Sequence, residues 1–120
     1  MGKLLTRDQI LRAPDIQEET VAVPEWGGNV LVRGMTGAER DAFEASVITG
    51  RGANRQVNLQ NIRAKLVARS VVDEAGAQIF TEADIEALGG KSALALERLF
   101  DVASRLSGIG AVELEELAKN

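Results

Sequence analysis

The chain of 120 residues is long enough for one domain with a buried core, and its formal net charge of −4 argues against general nucleic-acid binding, which needs a basic surface. It contains no cysteine and no histidine, which excludes disulfides, thiolate catalysis and the commonest metal ligand and general base. The sequence shows no apolar run of the length that a signal peptide or a membrane span requires, so a cytoplasmic protein is expected.

The N-terminal segment, residues 1–18, is expected to form an arm with a short helix or turn at most. Thr6 and Gln9 have the spacing of a capping box, in which side chains and backbone bond reciprocally at a helix start. Pro14 ends any helix there, because its ring disfavours a helical conformation at the preceding residue. Four aliphatic residues surround the capping box: Leu4, Leu5, Ile10 and Leu11.

Two runs rich in β-branched residues, 20–24 and 29–33, predict a β-hairpin. Gly27 and Gly28 can supply the positive φ that its turn needs. Trp26, the only tryptophan of the chain, lies in this turn. It has two interpretations: a plug that packs against the helix bearing Phe43, or an exposed anchor for a partner protein.

A second capping box, formed by Thr36 and Glu39, predicts a helix over 37–48 with Phe43 on its apolar face. The following segment, residues 50–58, is rich in glycine and polar residues and is expected to be a mobile loop. A stripe of aliphatic residues at helical spacing predicts the next helix, through Leu59, Ile62 and Leu66.

The C-terminal half predicts a short hairpin over 70–80 with its turn at 74–76, followed by three further helices. Thr81 and Asp84 begin a brief helix through Leu88. Ser92 caps the longest helix, whose apolar face comprises Leu96, Leu99, Phe100, Ala103 and Leu106. Residues 110–120 are expected to form a short acidic tail helix. The fold class is therefore α+β: a small, mostly helical single domain over 1–120, with one or two short β-hairpins and four to five helices.

Charged side chains at helical spacing predict ion pairs on two of these helices. On the first, Arg40 lies four residues before Glu44. On the longest, Asp101 lies within one turn of both Arg98 and Arg105.

The segment from residue 51 to residue 69 carries five positive charges and no acidic residue: Arg51, Arg55, Arg63, Lys65 and Arg69. This basic run carries +5, so with a net charge of −4 the rest of the chain carries −9. The run is interpreted either as a solvated face that balances acidic neighbours or as a patch for an acidic protein partner. Nucleic acid is disfavoured here because no aromatic residue is interleaved for base stacking.

No motif predicts catalysis or a bound cofactor. Gly90-Lys91-Ser92 matches the end of a phosphate-binding loop, but the position where that motif needs an earlier glycine holds Ile85. The tripeptide is therefore interpreted as a helix stop followed by an N-cap. Adjacent carboxylates such as Glu115-Glu116 point in different directions, so neither a metal site nor a shared catalytic proton is expected. The chain is not expected to be an enzyme.

The whole pattern resembles the tail assembly chaperones of long-tailed phages and prophages. The resemblance rests on three segments: VPEWGGNVLVRGMTGAERDAFE, AKLVARSVVDEAGAQIFTEADIEALGGKSALALERLFDVASRLSG and the ending LEELAKN. It implies a non-enzymatic factor of the host cytoplasm that is absent from the mature virion. Such a factor binds the tape measure protein and keeps it soluble while tail tube subunits polymerise around it.

The resemblance also implies a programmed frameshift near the end of the gene, giving a longer product that recruits the tail tube protein. Ala118-Lys119-Asn120 can be encoded by GCA-AAA-AAC, which contains a slippery run. A structural virion component, such as a minor tail or head–tail connector protein, is the alternative function. The expected partner contacts are Trp26, Phe43 and the five residues of the basic run, and self-association into small homo-oligomers is compatible with apolar surface intended for a partner.

Overall fold

The computed structural model describes residues 2–50 and 52–109, which form helices and short antiparallel strands. Arg51, the predicted tail helix and Ala118-Lys119-Asn120 lie outside the described residues. The helices of the described part are α1 (Arg7–Arg12), α2 (Gly37–Ser46), α3 (Ile62–Ser70), α4 (Ile85–Gly89) and α5 (Ala93–Ser107). Its strands are β1 (Glu18–Val23), β2 (Gly28–Arg33), β3 (Ile48–Thr49), β4 (Gln56–Val57) and β5 (Val71–Val72). The predicted α+β class, mostly helical, is confirmed.

The first hairpin forms as predicted and continues into a three-stranded sheet. β1 and β2 pair antiparallel from Glu18 opposite Arg33 to Val23 opposite Gly28. A 3₁₀ turn, Pro24–Trp26, joins them, and Gly27 follows it in the left-handed conformation with φ of 76°. β5 then pairs with the other edge of β2, which gives the strand order β1-β2-β5.

The hairpin predicted over 70–80 is only partly formed. Its turn is present, because the Asp73 carboxylate accepts hydrogen bonds from the backbone N–H groups of Ala75 and Ala77. The returning strand is reduced to one bridge between Val72 and Gln78. The main partner of β5 is β2, a pairing that is distant in sequence and therefore invisible to a local pattern.

A second small sheet occupies the region between α2 and α3. Ile48 pairs with Val57 and Thr49 pairs with Gln56, so α2 ends at Ser46, two residues earlier than predicted. The segment predicted as a loop therefore contains a strand and a 3₁₀ turn, Gly52–Asn54. Ile48 and Val57 are half-buried and pack against the core, which gives the pairing a hydrophobic reason. The mobility of this segment stays a prediction.

The core lies where α5 packs against both α3 and the three-stranded sheet. Its largest fully buried side chains include Phe43, Leu66, Leu99, Val23 and Val32. The apolar face predicted for α5 is confirmed at Leu96, Leu99 and Ala103, which are buried. A core of mostly aliphatic residues follows from an aromatic content of only 3%.

The arginines of α5 have partners other than those predicted. Arg98 donates two hydrogen bonds, of 2.7 and 3.0 Å, to the carboxylate of Glu25. Arg105 donates one of 2.6 Å to Glu19. Pairing with Asp101 was therefore the wrong expectation, because the first hairpin brings acidic groups alongside this helix. The predicted pair on α2 is confirmed, with 3.7 Å between the Arg40 and Glu44 side chains.

Gly34 marks the tightest approach between the sheet and α5. It follows β2, and a Cβ atom at this position would lie 2.5 Å from the backbone carbonyl oxygen of Leu106. A backbone oxygen within a helix cannot move aside cheaply. The next contact, a 2.9 Å hydrogen bond from the Met35 N–H to the Ser107 hydroxyl, holds the same two segments together.

Gly34→Ala is expected to lower the free energy of unfolding by about 2 kcal/mol, because the added methyl group forces the end of β2 away from α5. Urea denaturation followed by circular dichroism measures the change. Gly37→Ala is the matched control, since a Cβ there meets nothing within 4 Å and the position is helical. Equal stability of the two variants would contradict the proposed role of this close approach.

Candidate partner-binding site

An open apolar cleft lies at the turn of the first hairpin and is the best candidate for a binding surface. It has a volume of about 260 Å³ and is lined by Trp26, Phe80, Asp84, Ala87, Leu88 and Lys91. Apolar side chains make most of its wall, and one acidic and one basic residue take part in the lining. Such a site suits an apolar side chain of a polypeptide partner better than a polar small molecule.

Local sequence signals position the walls of this Trp26 cleft. Pro24 begins the 3₁₀ turn, whose last residue is Trp26, and the left-handed Gly27 returns the chain into β2. On the other side, the Thr81 N–H donates to the Asp84 carboxylate at 2.8 Å, where the sequence predicted a helix start. This hydrogen bond lies at the beginning of the 3₁₀ turn that leads directly into α4. Two independent local motifs therefore face each other across the cleft.

Trp26 combines features of both interpretations offered by the sequence. The residue is half-buried and packs against the core, as a plug would. It also lines the cleft beside Phe80 and α4, as a partner anchor would. Its indole N–H is buried and has no hydrogen-bond acceptor in the described part of the chain. The Trp26 side chain is thus held in place by apolar packing and by the geometry of the turn.

An ion pair connects the turn that bears Trp26 to α5. The two hydrogen bonds that Arg98 donates lower the pKa of the adjacent Glu25 to about 2. The pKa of Glu39 is also lowered, because Arg33 donates hydrogen bonds to its carboxylate. The carboxylates are therefore stabilised in their charged form by the folded structure.

Phe43 is not part of this surface. Its ring is fully buried in the core. The guanidinium of Arg69 lies 6.0 Å from the centre of the ring and covers it. Its position on the apolar face of α2 places Phe43 inside the domain, so it does not line the cleft, and a role of Phe43 in partner binding stays a prediction.

The basic run does not form one patch within the residues described. Arg55 is exposed near the turn between β3 and β4. Arg63 lies 3.7 Å from Glu97 and above the ring of Phe100. Arg63 therefore faces α5, where an acidic neighbour balances its charge.

The other two cations of α3 are engaged elsewhere. The Lys65 ammonium donates to the Ser46 carbonyl oxygen at 3.3 Å. Arg69 donates to Glu82 at 3.0 Å and to the backbone carbonyl of Lys65, and its side chain is mostly buried. These contacts favour the interpretation in which the run neutralises acidic neighbours. A role of the run in partner binding stays a prediction.

The segment that resembles a phosphate-binding loop behaves as a helix boundary. The Ser92 hydroxyl accepts a hydrogen bond from the Ala95 N–H at 3.2 Å, as an N-cap does. Residues 2–50 and 52–109 contain no cluster of three or more acidic side chains that could hold a metal ion. Within the same ranges, no helix has both the length and the apolarity needed to cross a bilayer.

Sequence reasoning missed most of the cleft. Phe80 and Leu88 were assigned to a strand and a helix, but nothing local showed that they meet the hairpin turn. It also gave no weight to the aliphatic residues of the arm, where Leu4 is 96% and Leu11 67% exposed. The available signal was the capping box of the arm, which predicts a helix, together with the four aliphatic residues around it.

Glu25→Gln is expected to make stability less dependent on pH between about 4.5 and 2. The lowered pKa means that Glu25 stabilises the fold when it is ionised, and this contribution is lost as the pH falls towards 2. Thermal unfolding measured at several pH values should show a smaller decrease for the variant than for the parent chain. Glu74→Gln, on the exposed turn after β5, is the control and should reproduce the parent profile.

Comparison with known proteins agrees with the resemblance seen in the sequence. A family model described as phage tail assembly chaperone matches residues 7–120. The structure of the bacteriophage HK97 tail assembly chaperone matches with a TM-score of 0.57 and 20% sequence identity, covering 82% of this chain and 90% of that chain. The similarity to the HK97 structure shows a shared fold. A search of curated protein sequences found no match. Since the family model covers nearly the whole sequence, the chain belongs to the phage tail assembly chaperone family.

Proposed function

We propose that this tail assembly chaperone binds the tape measure protein in the host cytoplasm, keeps it soluble while tail tube subunits polymerise, and is absent from the mature virion. Membership of the family supports a partner among the phage tail proteins. The binding is non-covalent and needs no cofactor. The observation that carries the proposal is the open Trp26 cleft, which offers apolar surface to another polypeptide.

The chemistry of the cleft suits a helical client. An amphipathic helix binds by placing apolar side chains, three or four residues apart, into a hydrophobic groove. Trp26, Phe80 and Leu88 provide such contact area, while Asp84 and Lys91 provide charges that can orient the helix. A tape measure protein, expected to be a long helical rod, repeats such segments many times. Weak contacts by many chaperone copies along one rod then combine into strong overall binding.

Exposed positions of the basic run are a second proposed contact. Arg55 is exposed beside the turn of the second small sheet, away from the internal pairs that occupy Arg63 and Arg69. We therefore place any acidic segment of a client near Arg55.

The tail tube protein is proposed as a further partner, reached through a longer form of the chain. That form requires a frameshift at Ala118-Lys119-Asn120, so the gene should contain an uninterrupted slippery run at these codons. Codons that break the run would remove this part of the proposal. The alternative function, a structural virion component, is favoured instead if mass spectrometry detects the chain in purified particles.

Ala87→Arg is expected to reduce the soluble fraction of co-expressed tape measure protein several-fold, because a bulky cation then fills the Trp26 cleft. Ala87 is exposed on α4, so the core should tolerate the substitution. The measurement is the ratio of tape measure protein in supernatant and pellet. Ala45→Arg, at an exposed position of α2 outside the cleft, is the matched control and should act like the parent chain.

The comparison also needs the tape measure protein expressed alone. If it is equally soluble with and without the chaperone, the proposed function is wrong. If it depends on the chaperone but Ala87→Arg has no effect, the function stands and the cleft is not the binding site.

A further inference from the structure

Strand β1 forms one edge of the three-stranded sheet, and its outer side has no neighbouring strand among the described residues. The strand order β1-β2-β5 places β2 on its inner side only. After two glutamates, its last four residues, TVAV, include no charged side chain and no proline. Charged residues and proline are what usually protect an exposed edge from pairing with another chain. Most of β1 is therefore open to an additional strand.

The hydrogen-bond pattern shows which backbone groups of β1 point outwards. The Gly34 N–H donates to the Gln17 carbonyl oxygen at 2.9 Å, so these two opposed residues form a hydrogen-bonded pair. Such pairs alternate with unbonded pairs along an antiparallel ladder. Every second residue after Gln17 therefore bonds to β2: Glu19, Val21 and Val23. The residues between them direct their N–H and C=O groups away from β2: Glu18, Thr20 and Ala22.

The far side of the sheet supports this assignment. Val71 directs its carbonyl oxygen away from β2, since it accepts a 3.4 Å hydrogen bond from the Ile79 N–H. Its partner in the register, Val32, must then direct its own backbone groups towards β1, where it lies opposite Glu19. Both sides of the sheet thus give the same alternation. The six outward groups of β1 have no hydrogen-bond partner within residues 2–50 and 52–109.

The side chains on one face of this edge leave room for a neighbouring strand. Thr20 and Ala22 are small and exposed, so larger side chains of an added strand can lie beside them. Glu18 is also exposed, and it has no ion-pair partner in the described part of the chain. Opposite charges on adjacent strands stabilise their pairing, so Glu18 favours a basic residue in the added strand.

On the other face, α5 continues the core towards the open edge. Arg98 and Arg105 of this helix bind glutamates of the first hairpin. Val102 lies four residues after Arg98 and three before Arg105, so it shares the face of α5 that flanks β1. Its side chain packs against the core but is only half-buried. An apolar side chain of an added strand can cover the accessible part of Val102.

We infer that an extended segment of the tape measure protein pairs with the outer side of β1 as a fourth strand, an inference that rests on the proposed function. Such strand addition satisfies backbone groups of both partners and places alternate side chains on opposite faces. The matching segment has apolar or β-branched residues on the face towards α5 and a basic residue near Glu18. No residue of β1 lines the Trp26 cleft. The chain therefore binds helical and extended parts of one client at two sites.

Thr20→Pro tests the pairing, because proline removes an outward N–H of β1 while the hydrogen bonds to β2 remain. Thr20→Val is the matched control, since it keeps both the N–H and the β-branched shape. Each chain is purified from cells that co-express the tape measure protein, and the co-purifying tape measure protein is quantified. We expect several-fold less with Thr20→Pro and a parent-like amount with Thr20→Val. Circular dichroism checks that both variants fold, and an undiminished amount with folded Thr20→Pro would overturn the inference.

Amide hydrogen exchange of the unsubstituted chain gives a readout that needs no variant. The amides of Thr20 and Ala22 should exchange rapidly in the free chain and several-fold more slowly in the complex with the tape measure protein. The amide of Glu74, on the exposed turn after β5, should exchange equally in both. Equal exchange of Thr20 and Ala22 in the two states would contradict strand addition. Slow exchange already present in the free chain would show that the edge has another occupant, which also overturns the inference.

The same preparations separate failure of this inference from failure of the proposed function. If the parent chain and the tape measure protein form no complex, the proposed function is wrong and the inference fails with it. If the complex forms and Ala87→Arg disrupts it while Thr20→Pro does not, the function stands and the edge of β1 is not a contact. Slower exchange of Thr20 and Ala22 with the tail tube protein alone would overturn the choice of client.

Discussion

Helix α5 is held against the first hairpin by two arginine–glutamate pairs and by its buried apolar face, and most of the remaining structure takes its position from this contact. Leu99 and Ala103 are fully buried, while Arg98 and Arg105 reach Glu25 and Glu19 at the surface. Surface ion pairs contribute little to stability by themselves. Here the apolar packing supplies most of the energy, and the pairs set the orientation of the hairpin on the helix.

The orientation of the hairpin on α5 determines whether the Trp26 cleft forms. Because Glu25 is bound by Arg98, the adjacent turn is held over the segment that leads into α4, and Trp26 comes to lie opposite Phe80. The cleft is therefore a product of tertiary packing between two short motifs. Its walls come from different parts of the sequence.

The features predicted correctly are those that depend on neighbours within a few residues. The predicted capping boxes at Thr6 and Thr36 are both present, because a capping box is encoded by two residues three positions apart. The features predicted wrongly depend on distant partners. The pairing of β5 with β2 and the choice of Glu25 over Asp101 as the partner of Arg98 could not be read from local spacing.

The residues of the candidate site likewise separate into those that the sequence indicated and those that depend on distant contacts. Trp26 was recognised because a lone tryptophan in a turn is unusual, but its neighbours Phe80 and Leu88 were not. Phe43 was expected to contact a partner because an aromatic residue on the apolar face of a helix can serve a core or an interface, and the structure buries it in the core. Only the packing of α2 onto the domain distinguishes the two.

The pairing of arginines with glutamates of the same chain has an effect on its colloidal behaviour. Arg63, Arg69, Arg98 and Arg105 each pair with a glutamate, and the chain as a whole carries a net charge of −4. Electrostatic repulsion between molecules of the same net charge opposes non-specific aggregation through their exposed leucines. Raising the ionic strength shortens the range of this repulsion, so concentrated salt should bring out the tendency to aggregate that an apolar surface confers.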